Sequence, residues 1–274
     1  MLSYQHQYHA GNHADVLKHW LLLECLAHLQ KKDKPFDYID THAGGGLYRL
    51  DSEAARKTGE ASEGVLKLPW DSLPELKDYR ASVADDLNSQ CYPGSPLLVT
   101  RRLRPGDRGW FFEMHPATVR DLEKHCGKPK SCRVKREDGF AGLTALLPTA
   151  SRRALVLIDP SYEVKSDYRT VVSAVATALK KMPQTQILLW YPVVSRERVS
   201  TLEKDIKKAG LRNSHLFEIS IDDDAGEGMT ASGLIAINPP WTTPERFKSL
   251  APGLSAAMSR DGKPRWRYQV LVPE

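Results

Sequence analysis

The sequence predicts a doubly wound α/β domain that carries a small helical insertion. Three observations predict it. Short apolar or aromatic runs ending in an acid recur, at residues 36–40, 110–113 and 154–159. Stretches of helical periodicity separate such runs, the alternation that builds a mostly parallel sheet. The first run is followed at once by a glycine turn, Thr41-His42-Ala43-Gly44-Gly45-Gly46, a nucleotide-binding pattern in α/β folds. Hydrophobic residues make up 41% of the 274 positions and charged residues 27%, enough to bury the core of one large domain.

The elements follow in order. The first residues are polar and rich in histidine, with no apolar stretch of signal-peptide type. No apolar run approaches the ~20 residues needed to span a membrane. None of the four cysteines forms a CxxC pair, so a soluble protein of the reducing cytoplasm is expected. His125, Cys126 and Cys132 match no standard zinc spacing, and no metal is expected. Residues 14–30 place Val16, Leu17, Trp20, Leu21, Cys25 and Leu29 at helical spacing. The strand at 36–40 and its glycine turn come next. Residues 47–93 are charged, helix-prone and interrupted by Pro69 and Pro74, which reads as a mostly helical insertion. The chain thus divides into 1–46 (first helix and glycine-loop start), 47–93 (insertion) and 94–274 (remainder of the domain). Strands are expected at 110–113, 132–135, 154–159 and 186–191, and two more at 215–221 and 233–238. The run at 154–159 is apolar on both faces, as a central parallel strand must be. Ligands of such sheets bind at the carboxyl ends of the strands, where Asp40, Glu113, Asp138 and Asp159 fall.

Asp159-Pro160-Ser161-Tyr162 suits methyl transfer to an aromatic amine. The exocyclic nitrogen of adenine is a poor nucleophile, because its lone pair is delocalised into the ring. Two acceptors aimed at its N–H groups favour a pyramidal nitrogen whose lone pair faces the donor. The Asp159 carboxylate and the Pro160 carbonyl supply both, and the proline restrains the backbone that holds the carbonyl. The Tyr162 ring can stack on the base. The competing reading is a plain strand-ending turn. Asn238-Pro239-Pro240-Trp241 has the same kind of groups, but falls too late in the order of elements to reach a cofactor, and reads as structural. On the cofactor side, the glycine turn permits close backbone approach. Glu113 is placed for two ribose hydroxyls, and Asp138-Gly139 for an adenine ring. Each signal alone could be a turn or an exposed acid. Their order is that of a methyltransferase sheet.

With these residues in hand, the chain closely resembles the RlmJ family of 23S ribosomal RNA adenine-N6 methyltransferases. The resemblance runs from Met1-Leu2-Ser3-Tyr4 and His9-Ala10-Gly11-Asn12-His13-Ala14-Asp15-Val16-Leu17-Lys18-His19, through Asp40-Thr41-His42-Ala43-Gly44 and Tyr92-Pro93-Gly94-Ser95-Pro96-Leu97, to Asp138-Gly139-Phe140. It continues in Trp190-Tyr191-Pro192-Val193-Val194, Gly228-Met229-Thr230-Ala231-Ser232-Gly233 and Asn238-Pro239-Pro240-Trp241. It implies a Rossmann-like class I S-adenosylmethionine-dependent methyltransferase with a helical insertion subdomain. It also implies that His19, His42, Ser95, Glu113, Asp138, Gly139 and Asp159 contact S-adenosyl-L-methionine, with Asp159 as the catalytic acceptor. Tyr4, His6 and Lys18, from an N-terminal segment that covers the site, become candidates for substrate contact. The family pattern has two prolines in the catalytic tetrapeptide, where this chain has Ser161. Both proposed acceptors precede that position, so activity is expected to survive.

The formal charge of +5 suits a polyanionic partner such as 23S rRNA. Basic residues cluster at Arg101, Arg102, Arg104 and Arg108, from Lys128 to Arg136, and from Lys263 to Arg267 around Trp266; each cluster is either a phosphate contact or a solvated surface. The family suggests a monomer, and no obligate protein partner is evident. A DNA adenine-N6 methyltransferase would use the same catalytic groups, but the ~45-residue insertion is too short for an independent DNA-reading module. A non-catalytic nucleotide-binding module is the other alternative.

Overall fold

The computed structural model describes residues 6–162, 167–224, 226 and 228–274. The chain opens with α1 (His13–Gln30), capped by the Asn12 side chain, which accepts from the Asp15 amide. Then come β1 (Asp37–Asp40) and β2 (Leu47–Arg49). The short helices α2 (Glu53–Thr58) and α3 (Glu60–Glu63), α4 (Lys77–Asn88) and β3 (Cys91–Pro93) follow, with β2 and β3 paired as a two-stranded ribbon. The rest of the chain alternates: α5 (Ser95–Thr100), β4 (Arg108–Phe112), α6 (Pro116–Cys126), β5 (Cys132–Lys135), α7 (Gly139–Leu146) and β6 (Ala154–Ile158). It closes with α8 (Asp167–Lys181), β7 (Gln186–Val193), α9 (Arg196–Lys208), β8 (Ser214–Ser220), β9 (Ala231–Ile237), α10 (Thr243–Met258) and β10 (Trp266–Val272).

Eight strands form one sheet in the order β10-β8-β9-β7-β6-β1-β4-β5. From β7 to β5 neighbouring strands run parallel. β9 is antiparallel to both β7 and β8, and β10 is antiparallel to β8. The helices fall into two packed groups. α1 contacts α5 and α10, while α7, α8 and α9 contact one another in series. Both groups touch β7 and β10, so they cover opposite faces of the sheet. The strands β1, β6, β7 and β9 are buried throughout, which explains the apolar runs of β6, β7 and β9; β1 buries Asp37 and Asp40 as well.

The chain leaves β1 toward β4 in one direction and β6 toward β7 in the other. β1 and β6 are neighbours, so the sheet has its switch of direction between them, and a crevice opens at their carboxyl ends. The expected strands at 110–113, 132–135, 154–159, 186–191, 215–221 and 233–238 are present, each within about three residues. The sequence reading did not foresee β10. Its residues 266 and 267 had been read as part of a basic cluster.

Glycines let helices seat closely on this sheet. A Cβ at Gly142 of α7 would lie 2.1 Å from the Phe112 ring at the end of β4. Gly142→Ala is therefore expected to destabilise the fold by about 1–3 kcal/mol, read as a lower urea midpoint with an unchanged denaturant slope.

Candidate active site

The carboxyl ends of β1, β4 and β6 and the N-terminus of α7 converge on the crevice. Asp40, the last residue of β1, is fully buried and accepts from the Tyr38 hydroxyl at 2.8 Å and the Ser95 hydroxyl at 2.7 Å. Burial pushes its pKa up to about 6, against the pull of those two donors. Beyond it the chain turns through Gly44 (φ +66°) and Gly46 (φ +83°), where the left-handed backbone favours glycine. The Gly44 amide donates to Glu113 Oε2 at 3.1 Å, and the His115 amide donates to Oε1 at 2.8 Å. Glu113 is thus held half-exposed at the end of β4, with lone pairs left over for a diol. Asp138 caps α7 by accepting from the Ala141 amide at 2.8 Å, and is itself exposed. Gly139 follows it, buried, where a Cβ would lie 2.0 Å from the Thr41 carbonyl oxygen. That contact admits only glycine and joins the β5–α7 loop to the β1 loop. A half-exposed carboxylate, a glycine cradle and an exposed acid ring one crevice, and they fit the ribose and adenine of S-adenosylmethionine.

His42 lies in the same crevice, with its Nδ1 2.8 Å from the Thr41 hydroxyl and its ring edge-on to Phe140. Burial lowers its pKa to about 4. His19 on α1 is only 1% exposed, stacks on Tyr92 and places Nδ1 2.7 Å from its hydroxyl. The Tyr92 hydroxyl is also 2.8 Å from that of Tyr79. Burial drives the His19 pKa down to about 3. His19 and Ser95 are therefore enclosed, hydrogen-bonded groups.

Asp159 stands just past β6, beside Asp40. Its carboxylate meets the Lys18 ammonium at 2.6 Å, and the same ammonium is 2.8 Å from Asp15 Oδ1. The other Asp15 oxygen accepts from the Gly11 amide at 2.9 Å and pairs with His6 Nε2 at 3.0 Å. Burial alone would strip Lys18 of its proton; Asp15 and then Asp159 reverse this and hold its pKa well above the ordinary lysine value. For Asp15, too, the burial cost is overcome, first by His6 and then by Lys18, and its pKa lies well below normal. The sequence reading missed Asp15, since an acid in the first turn of a helix ordinarily complements the helix dipole. The signal available was its three-residue spacing to Lys18, which puts both on one face.

Two further residues differ from expectation or lie out of view. Tyr162 does not offer an open ring. It is 7% exposed, packs on Tyr168 and Trp190, and donates its hydroxyl to the Trp190 carbonyl at 2.6 Å. That bond holds it at φ +53°, a left-handed backbone a tyrosine seldom adopts. Pro160 before it is buried. Tyr4 lies outside the described residues. Asn238-Pro239-Pro240-Trp241 is at the far end of the sheet: Asn238 donates to the carbonyls of Pro183 and Thr185, which precede β7. An antiparallel β9 delivers its carboxyl end away from Asp159.

Half of the arginines singled out by the sequence, four of eight, already hold acids. Arg101 pairs with Asp86, Arg104 with Asp107, Arg265 with Asp261 and Arg267 with Glu203. Lys128, Lys130 and Arg136, around β5, are exposed. No helix among the described residues is long and apolar enough to cross a membrane.

Comparison with known proteins shows the family of the chain. The family described as ribosomal RNA large subunit methyltransferase D, RlmJ, matches residues 33–271. The chain belongs to this family. A protein of Escherichia coli named ribosomal RNA large subunit methyltransferase J is 41% identical over 281 residues, with both chains covered in full. One of the same name from Haemophilus influenzae is 40% identical over 282 residues, again in full. A crystal structure of a Legionella pneumophila protein superposes with a TM-score of 0.87 at 34% identity, covering 95% of this chain and 98% of the other.

Buried neutral histidines make the fold sensitive to acid. His13, His19 and His42 titrate near 6.5 when unfolded but only at about 4, 3 and 4 when folded, chiefly through burial. The stability they contribute is present above pH 6.5 and is lost as pH falls toward 4. Asp40, with its raised value, opposes this with the reverse sign. Lowering the pH from 7 to 5 is expected to lower the urea midpoint, with on the order of 1 kcal/mol from each histidine. His19→Asn should shrink that drop.

Proposed function

We propose that this protein methylates the exocyclic N6 of an adenine in 23S ribosomal RNA, with S-adenosylmethionine as donor, in the cytoplasm. The observation that supports this most is the placement of the Asp159 carboxylate at the carboxyl end of β6, beside the β1 glycine turn at the switch point of the sheet. Membership of an rRNA methyltransferase family supports the RNA substrate.

In this reading Glu113 accepts the ribose hydroxyls of the donor, and Asp138 with the Gly139 amide receives its adenine. His42, Ser95 and His19 line the wall beneath. Bound S-adenosylmethionine supplies an activated, electrophilic methyl group. The protein's own contribution is to position the amine. Asp159 accepts one N–H of the target amine and the Pro160 carbonyl accepts the other, which turns the nitrogen lone pair toward the donor. Asp159 or water takes the proton the amine loses. The base must already be unstacked to enter. Tyr162 meets it edge-on as it stands, and stacks face-on only if its ring leaves Trp190. Lys18 of α1 and His6 ahead of it are the described candidates for contact with the substrate.

Methyl transfer to a 23S rRNA fragment, with none to duplex DNA, is the expected result of a radiolabelled-donor assay. Asp159→Asn should reduce the rate by about a thousandfold or more, with donor affinity and melting temperature near those of the parent. Retention of full activity in that variant would remove the assignment. Glu113→Gln is expected to weaken donor binding by roughly 10- to 100-fold in calorimetry.

A further inference from the structure

Asp159 faces the crevice with a partner already in place, the ammonium of Lys18 at 2.6 Å. The target amine must bond to the same carboxylate; at Oδ2, the oxygen that Lys18 holds, it can do so only if Lys18 gives way. Lys18 is 95% buried at its side chain and cannot move out to water without breaking the packing of α1. An ammonium stripped of its counter-charge in such a place is strongly unfavourable. Asp15 removes that difficulty. It lies 2.8 Å from the same Nζ, is itself fully buried, and is pinned by the Gly11 amide, by His6 and by its position one turn before Lys18.

We propose that Asp15 is a positioning residue that retains the Lys18 ammonium when the substrate amine takes over Asp159. This rests on the reading of Asp159 as the acceptor of the target amine. Lys18 is shared between two carboxylates in the free enzyme. In the substrate complex it belongs to Asp15 alone, and one lone pair of Asp159 is released to the amine. The hand-over separates no charge, since each carboxylate keeps a donor throughout. Without the Asp15 charge, Asp159 becomes the sole counter-ion of a buried lysine, and the amine must break a full ion pair to enter.

The test compares Asp15→Asn, Lys18→Met and the double variant in single-turnover methylation of a 23S rRNA fragment, with donor affinity and melting temperature recorded for each. Asp15→Asn should slow transfer by roughly 10- to 100-fold while donor affinity is kept. The double variant should be faster than Asp15→Asn, because the ammonium that blocks Asp159 is gone. A double variant as slow as Asp15→Asn, or slower, would overturn the proposal, and so would a recovery of rate that only follows a recovery of melting temperature, the outcome of a purely structural ion pair. If Asp15→Asn does not fold, a crystal of the parent enzyme with S-adenosylhomocysteine and an adenine-containing trinucleotide decides. Lys18 Nζ is then expected within hydrogen-bond distance of Asp15 and away from Asp159; an ammonium still on Asp159 contradicts it. A parent enzyme that transfers no methyl to RNA would instead defeat the functional reading.

Discussion

One buried ammonium organises the functional half of this molecule. Lys18 sits on α1, which packs across β6, β7 and β9. Its two carboxylate partners come from its own helix and from the end of the central strand. Buried ions are tolerated only when paired and hydrogen-bonded. That demand fixes the rotation of α1 over the sheet and the direction in which Asp159 points. It also anchors the N-terminal segment, because Asp15 spends its second oxygen on Gly11 and His6. Residues 6–11, also held by His9 on Glu60 and by the Val65 amide on the Gly11 carbonyl, are thereby linked to Asp159 through two side chains.

The crevice has a polar and an enclosed side. Glu113 and Asp138 are accessible, with lone pairs to spare, while Asp40, Ser95, His19 and Tyr92 are sealed into mutual hydrogen bonds. The enclosed groups hold the accessible ones in place. Asp40 ties β1 to α5 through Ser95, and the Tyr92 hydroxyl joins His19 of α1 to Tyr79 of the insertion. Burial keeps His19 neutral, so the cluster adds no positive charge beside Lys18.

The parallel part of the sheet was legible because a strand buried on both faces must be apolar throughout and must end where the polar chemistry begins. That pairing of run and acid marked Asp40, Glu113 and Asp159 without any knowledge of partners. Strand β10 was not legible. It is an edge strand with one neighbour, and its short alternation Trp266-Arg267-Tyr268-Gln269-Val270 was masked by the basic cluster it begins in. Asp15 was hidden for a different reason: its importance comes from Asp159, far along the chain, and only folding brings the two to one ammonium. The same limit applies to Arg101 and Arg267, whose partners Asp86 and Glu203 are set by tertiary contact. The Asn-Pro-Pro-Trp string, read as structural from its late place in the order of elements, lies beside the residues that precede β7. The physical reason is strand direction, which places an otherwise suitable set of groups at the wrong end of the sheet.

The missing side chain at Gly139 has an effect on the thermodynamics of binding. Because α7 already touches the Thr41 carbonyl through that gap, the two walls of the crevice meet before any ligand arrives. No domain has to swing and no loop has to be recruited to bring them together. The ordering cost of forming the cleft was met when the chain folded, and an incoming nucleoside loses little beyond its own freedom of motion. A relative with alanine at this position would have to hold its walls apart, and would bind the same molecule in a looser, more entropically taxed embrace.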